Sequence, residues 1–247
     1  MIKYERTAGL TDKQTHYCPG CTHGILHKLV AEVLEELGVL DITVGVASVG
    51  CSVFSYEYFN CDMQQAAHGR ACAVATGIKR SLPNNIVFTY QGDGDLASIG
   101  IAETIHAANR GENFTVIYAN NTTYGMTGGQ MAPTTLLGQK TTTSQEGRLK
   151  PVHGEPIKMA EILSQVTGAA YVERVMLSDV GNIRKAKRAI KKAFTYQMEG
   201  KGFSMIEVLS TCPVNWGMKP RQALDWSRDN MLPVFPLGVY KDVEAND

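Results

Sequence analysis

Gln91-Gly92-Asp93-Gly94-Asp95 follows the run Ile86-Val87-Phe88-Thr89-Tyr90. A short β-branched and aromatic run reads as a buried strand, and the glycines after it as a tight turn. Glycine lets backbone approach a ligand closely, and aspartates beside bare amides suit a metal ion. The segment from Leu96 to Arg110 carries helical spacing (Ile99, Ala102, Ile105, His106, Asn109), with Gly111 as its stop. A second strand-like run, Phe114 to Ala119, then ends in Asn120-Asn121. This strand–turn–helix–strand unit puts oxygen ligands at the carboxyl ends of both strands, where open α/β sheets bind ligands. The competing reading is an ordinary Gly-Asp turn. The Asn pair at this distance favours the site.

A chain of 247 residues supports a large core, and its net charge of +0 gives no bulk signal for nucleic acid or membrane. No apolar stretch is long enough for a membrane span, and Met1–Arg6 is not a signal peptide, so a soluble intracellular protein is expected. Six cysteines, at 18, 21, 51, 61, 72 and 212, then read as ligands, catalytic groups or buried hydrophobes rather than disulfides.

Working outward, Cys18-Pro19-Gly20-Cys21 precedes an amphipathic helix whose apolar face is Ile25, Leu26, Leu29, Val30, Val33, Leu34 and Leu37. Helix-start amides favour anionic sulfur. A redox dithiol, a zinc site and an iron–sulfur site all remain open; the last needs two further cysteines, which exist. The strand Ile42–Ala47 ends in Ser48-Val49-Gly50-Cys51-Ser52, bringing Cys51 to the rim that carries Asp93. Phe54, Tyr56, Tyr58 and Phe59 read as core or subunit interface. A small-residue helix spans Ala66 to Lys79, and His68 and Arg70 at its start could meet an anion. After Asn121, Thr122-Thr123-Tyr124-Gly125-Met126-Thr127-Gly128-Gly129-Gln130 alternates glycine with hydroxyls, so its amides can line an anion pocket. The polar segment from about Thr134 to Glu155 is too long to be filler.

The last third predicts a helix at Met159–Val166, a strand at Ala169–Val175, a long helix at Val180–Met198 and a strand at Phe203–Leu209 leading to Cys212. The basic run Arg184 to Lys192 reads as a solvated helix face, with docking of an acidic electron-transfer protein as the alternative. From about Pro213 the chain lacks periodicity and reads as an irregular tail wrapping a partner or the body. There is no internal repeat or linker, so one domain spans 1–247, an open, mostly parallel α/β sheet with helices on both faces.

CPGC, GCS, HGRA, GDGD, NN and YGMTGGQ in this order resemble the thiamine-diphosphate-binding β subunit of 2-oxoacid:ferredoxin oxidoreductases, over about Cys18 to Cys212. The resemblance implies a thiamine-diphosphate-binding (pyrimidine/diphosphate-type) fold. It implies Mg²⁺ held by Asp93, the Asn121 side chain and the Thr123 carbonyl, and a [4Fe–4S] cluster on Cys18, Cys21, Cys51 and Cys212. Gly50, Cys51, Ser52, His68, Gly92, Asp93, Gly94, Asp95, Asn121, Thr123, Tyr124, Gly125, Thr127 and Gly128 would bind cofactor, and His68 and Arg70 would face cofactor or substrate. Cys61 and Cys72 fall outside the pattern, and Thr22 stands where many relatives carry Gly. The implied reaction is oxidative decarboxylation of a 2-oxoacid, with electrons passing through the cluster to ferredoxin and coenzyme A taking the acyl group. No glutamate here matches the one that activates the cofactor, so it is expected from another subunit. Active enzyme then requires α- and γ-type subunits and a ferredoxin or ferredoxin-like subunit, in the cytoplasm of an anaerobe. The motif surroundings look most like the 2-oxoisovalerate and 2-oxoglutarate types, and the former is preferred for want of a further cationic residue. A non-redox thiamine-diphosphate decarboxylase subunit is the remaining alternative; a scaffold with structural zinc and no chemistry would leave Asp93 and Asn121 idle.

Overall fold

The computed structural model describes residues 5–245, so of the N-terminal stretch 1–6 only Glu5 and Arg6 fall within the described residues. The strands are β1 (Thr43–Ala47), β2 (Asp62–Gln65), β3 (Ile86–Gly92), β4 (Thr115–Asn120), β5 (Thr123–Tyr124), β6 (Gln130–Met131), β7 (Ala169–Met176), β8 (Phe203–Leu209) and β9 (Gly238–Asp242). The helices are α1 (His23–Glu36), α2 (Ser55–Tyr58), α3 (Ala71–Ser81), α4 (Ile101–Asn109), α5 (Lys150–His153), α6 (Met159–Ser164), α7 (Val180–Met198), α8 (Pro213–Trp216) and α9 (Pro220–Trp226).

Seven strands form one sheet in the order β2-β1-β3-β4-β8-β7-β9, parallel except for β9, which runs antiparallel to β7. The fold is therefore the open, mostly parallel α/β sheet that the alternation of strand and helix patterns predicts. β1 is buried throughout, as a parallel strand covered on both faces must be. One apolar layer joins α1 and α7 to the sheet through Leu26, Val30, Leu34, Phe88, Ile190 and Phe194. The opposite layer joins α3, α4 and α6 through Ala71, Ala75, Ala107, Val116 and Leu163. Small residues on α3 and α4 allow the close approach.

Four readings change. The helix expected from Ala66 begins at Ala71, because Gly69 takes a φ of +76° and packs against Gly100 and Ile99. The continuous helix expected from Leu96 is a π-helical turn, Asp95–Ile99, and then α4; Gly100 separates them, and Ile99 faces outward. The segment after Pro213 is not irregular: it holds α8, α9 and the edge strand β9. Finally, the basic face of α7 is partly engaged. Lys187 reaches Glu32 and Glu36, each at 2.7 Å, and Lys192 reaches Asp242 at 2.5 Å. No helix among the described residues is long and apolar enough to cross a membrane.

A charge pair lies inside the sheet. Arg174 on β7 and Glu207 on β8 are register neighbours, both 0 % exposed, with Nε and Oε2 3.0 Å apart. Glu161 and the Pro236 carbonyl accept from the other guanidinium nitrogens, and the Tyr240 ring lies 4.7 Å away. The Asn120 amide donates to Glu207 at 2.8 Å. Burial pushes the Glu207 carboxyl up, and Arg174 and Asn120 oppose that shift. Removing one member of such a pair leaves a buried charge alone. Arg174→Met is therefore expected to lower unfolding free energy by about 3–5 kcal/mol. Arg174→Met/Glu207→Leu should recover part of that loss, and urea denaturation of the two variants measures both effects.

Candidate functional site

Because β1, β3, β4 and β8 are parallel, their carboxyl ends share one rim. The loops leaving these ends carry Cys51, Asp93, Asn121 and Cys212 in turn. Between them lies an open cavity of about 90 Å³. Its walls include Gly50, Cys51, Ser52, His68, Gly92, Asp93, Gly94 and Asp95 from the first half of the chain. Asn121, Thr123, Tyr124, Gly125 and Thr127 come from the loop after β4. Gly128 is not in the wall, and neither is Arg70. Arg70 instead caps α3 on the outside and pairs with Glu103. The structure thus brings together nearly all the expected cofactor residues and leaves one expected catalytic residue outside.

Asp93 is 2 % exposed, and burial pushes its carboxyl up to about 7. Thr134 Oγ donates to Oδ2 at 2.7 Å and the Gly94 amide to Oδ1 at 3.0 Å. Among the described residues no cationic side chain pairs with it. A buried carboxylate with donors but no counter-charge is chemically matched to a hard divalent cation, which takes oxygen ligands. The Asn121 side-chain oxygen stands at the neighbouring strand end, held by the Thr123 amide at 3.2 Å. Between them Thr122 adopts a φ of +61°, uncommon for a β-branched residue. It is pinned by Gln139 Nε2 on its hydroxyl at 2.8 Å and by Thr135 Oγ1 on its carbonyl at 2.6 Å. The strained turn aims Asn121 and Thr123 at the cavity while Asn120 points back to Glu207.

Asp95 serves a different purpose from Asp93. Its Oδ1 accepts from the Gly69 amide at 2.7 Å and lies 2.6 Å from His68 Nδ1, and its Oδ2 accepts from Gln91 at 2.6 Å. Both oxygens are hydrogen-bonded within the chain, so Asp95 orients His68 from the cavity wall. Gly94 must be glycine: a Cβ there would fall 2.2 Å from the Tyr124 ring.

The polar segment after Ala132 is ordered around Arg148, a residue that no local motif singles out. Its guanidinium donates to the carbonyls of Ala132, Pro133, Thr135, His153, Gly154 and Glu155 at 2.8–3.2 Å. One buried cation thereby fixes the loop that carries Thr134 to Asp93. Beyond the expected residues, His23, Val49 and Met126 also line the cavity.

Cys51 and Cys212 come together on the rim beside Gly125. Burial, and then neighbouring cysteines, push Cys21 and Cys51 up to about 12; Asp93 also raises Cys51 and Cys212. A Cβ on Gly125 would lie 3.1 Å from Cys51 Sγ, 3.5 Å from Cys212 Sγ and 3.6 Å from Asn121 Nδ2. Among the described residues no group of three or more His, Cys, Asp or Glu closes on a single metal ion. Cys61 and Cys72 stand apart: Cys61 lies 3.8 Å from Met63 Sδ, and Cys72 packs against Gln91 and Thr104.

Behind the cysteine loop lies a lattice of rings. Tyr17 stacks on His23 at 4.8 Å, and its hydroxyl lies 2.8 Å from His27 Nε2. Tyr90 OH meets His23 Nδ1 at 2.7 Å, and His27 stacks on Phe59 at 4.5 Å.

A family model described as "Thiamine pyrophosphate enzyme, C-terminal TPP binding domain" matches residues 48–208. Fold and match together define a thiamine-pyrophosphate enzyme domain. Ketoisovalerate oxidoreductase subunit VorA of Methanothermobacter marburgensis is 50% identical over 97% of this chain and 50% of its own length. 2-Oxoglutarate synthase subunit KorB of Methanocaldococcus jannaschii is 36% identical over 99% of this chain and 87% of its own. The solved 2-oxoglutarate:ferredoxin oxidoreductase from Magnetococcus marinus superposes with a TM-score of 0.79 at 28% identity, covering 93% of this chain and 74% of that one. The chain belongs to the thiamine-diphosphate-binding β subunits of the 2-oxoacid:ferredoxin oxidoreductases. It spans about half the length of the VorA relatives it matches.

The ring lattice makes acid stability testable. His27 is 1 % exposed and its Nδ1 lacks a partner, so burial holds it neutral, well below the usual 6.5. A histidine whose folded pKa is depressed gives stability above the unfolded pKa and loses it as pH falls. Below pH 6.5 the loss from His27 should approach about 1.4 kcal/mol per pH unit. His27→Phe is expected to flatten that slope in denaturation series run between neutral and mildly acidic pH.

Proposed function

We propose that this chain is the cofactor-binding part of an enzyme that oxidatively decarboxylates a branched-chain 2-oxoacid, with 2-oxoisovalerate the preferred substrate. The balance is 2-oxoacid carboxylate plus coenzyme A giving acyl-CoA, carbon dioxide, one proton and two electrons. The observation carrying this reading is the buried, uncompensated Asp93 carboxyl group facing Asn121 across the same cavity that the rim thiols border. Asp93, Asn121 and the Thr123 carbonyl would hold Mg²⁺ on the diphosphate, with the amides of Gly92, Gly94 and Thr127 close by. Thiamine diphosphate, when bound, supplies the carbon nucleophile and the electron sink for decarboxylation. The chain's own part is to seat the diphosphate, keep His68 oriented through Asp95 and exclude water with Val49, Met126 and Tyr124. Cys18, Cys21, Cys51 and Cys212 would hold the [4Fe–4S] cluster, as four thiolates do in such centres. Cys51 and Cys212 already stand together around Gly125, which supports this reading.

The substrate assignment rests on the cavity wall. Among the described residues it contains no lysine or arginine, while Val49 and Met126 are apolar. A second carboxylate would find no lysine or arginine there, whereas an isopropyl tail would find apolar surface. The 50% identity to the VorA proteins points the same way. A 2-oxoglutarate reading is favoured by the better length match to KorB. The carboxylates of the wall are Asp93 and Asp95, with no glutamate, so the group that activates the aminopyrimidine would come from a partner subunit. Ferredoxin would accept the electrons, in the cytoplasm of an anaerobe.

Anaerobic co-purification with the partner subunits, followed by iron, sulfide, magnesium and thiamine assays and a 2-oxoacid panel, tests the proposal. Asp93→Ala should lose magnesium and thiamine diphosphate together. Cys212→Ala should lose the iron, and Cys61→Ala should keep it. Full iron in the Cys212 variant would remove that ligand, and 2-oxoglutarate outrunning 2-oxoisovalerate would reverse the substrate assignment.

A further inference from the structure

Of the four rim cysteines, Cys18 is the exposed one, and Pro19 and Gly20 beside it are exposed as well. This turn is braced from the C-terminal segment. Thr211 Oγ1 donates to the Gly20 carbonyl at 2.7 Å, and a Cβ on Gly20 would fall 2.4 Å from the Pro220 Cβ. Pro220 is flanked by Lys219 and Arg221, both exposed and without a carboxylate partner among the described residues. Pro220, Arg221, Leu224, Asp225, Arg228 and Ser178 line one shallow open hollow. The carboxylate in that hollow, Asp225, is already engaged by Arg228. A patch with excess positive charge thus borders the exposed cysteine turn of a chain whose net charge is +0.

On the other basic surface, that of α7, Lys187, Lys191 and Lys192 are tied to Glu32, Glu36 and Asp242, while exposed Arg184, Lys185 and Arg188 have no ion pair among the described residues. Unpaired cations steer an oppositely charged partner and fix its orientation, and those of the Lys219–Arg221 ridge flank the residue that packs on the cysteine turn, Pro220 against Gly20.

We propose that the Lys219–Arg221 ridge and its hollow are the docking surface for an acidic one-electron carrier protein, seated against the Cys18–Gly20 turn. This rests on the cluster reading of the rim cysteines. Each docking would transfer one electron from the reduced cluster to the oxidised carrier, so two dockings complete one oxoacid turnover. Leu224 in the hollow gives the contact an apolar element beside the charges.

The test uses the assembled enzyme and an acidic ferredoxin that carries a single [4Fe–4S] cluster. Lys219→Glu/Arg221→Glu should weaken binding of the oxidised ferredoxin about tenfold at low salt, and the difference should shrink at high salt. Iron and sulfide content should stay at the wild-type level, and so should oxoacid-driven reduction of metronidazole, a small uncharged acceptor. Lys191→Glu on α7 should keep wild-type affinity. An iron-replete double variant that binds ferredoxin as wild type does overturns the proposal. So does a Lys191→Glu variant that loses as much affinity. Wild-type enzyme purified anaerobically without iron and sulfide would instead bring down the cluster reading, and this surface with it.

Discussion

Asp93 carries a carboxyl group that is out of reach of water and faces no positive charge, and most of the surrounding architecture follows from that arrangement. Burying an ionised carboxylate alone is costly enough that the group shifts its pKa instead, and Asp93 does so. A side chain kept there against that cost must be held by its surroundings. Thr134 and the Gly94 amide direct its two oxygens, Tyr124 closes over the turn, and Arg148 fixes the loop bearing Thr134. Local strain is confined to the same place, at Thr122, where two side-chain hydrogen bonds maintain a backbone conformation that a threonine alone would leave.

The Asn120-Asn121 pair shows how a short motif divides its labour. Successive strand residues point to opposite faces, so at the end of β4 one asparagine turns inward and the next toward the rim. Asn120 donates to Glu207 and so joins the buried Arg174 pair; Asn121 faces the cavity. The internal charge pair and the site are therefore neighbours through one peptide unit. Such pairs contribute little net stability compared with apolar packing, but losing half of one is severe. Arg174 also collects Glu161 from α6, the Pro236 carbonyl and Tyr240 from β9, which ties the C-terminal edge strand to the sheet interior.

Most of the architecture was legible because buried parallel strands are continuous apolar runs. β8 matches its sequence pattern end for end, and α7 does so because its polar and apolar faces are well separated. β2 was not legible: Asp62-Met63-Gln64-Gln65 is a largely exposed edge strand with no apolar run. β9, another partly exposed edge, was hidden the same way among the prolines of the tail. Within the site, residues on glycine turns at strand ends could be found from local pattern. Arg148, Thr134 and His23 could not: Thr134 and His23 act through partners far along the chain, and Arg148 acts through nearby backbone carbonyls that no residue pattern marks. Arg70 lies outside the cavity wall for a reason of the same kind. Its place at a helix start suggested an anion, but Glu103 on the next helix supplied one internally.

Gly125 links the two halves of the site. It stands where any side chain would crowd Cys51, Cys212 and Asn121 at once, so the thiols and the cavity are separated by little more than one peptide. Parallel topology makes that proximity almost unavoidable. With β1, β3, β4 and β8 running the same way, residues just past their ends must gather on one rim whatever their distance in sequence. The N-terminal cysteine loop precedes the first strand and has no such compulsion. It is brought to the rim by long-range bonds, Thr22 to Ser210 at 2.6 Å and Thr211 to Gly20 at 2.7 Å. The segment after β8 therefore does two things: it delivers Cys212, and its hydroxyls hold Cys18 and Cys21 opposite. A cluster-binding reading needs both, since four thiolates drawn from three separate loops can share one centre only if the loop outside the sheet is anchored to those the sheet already aligns.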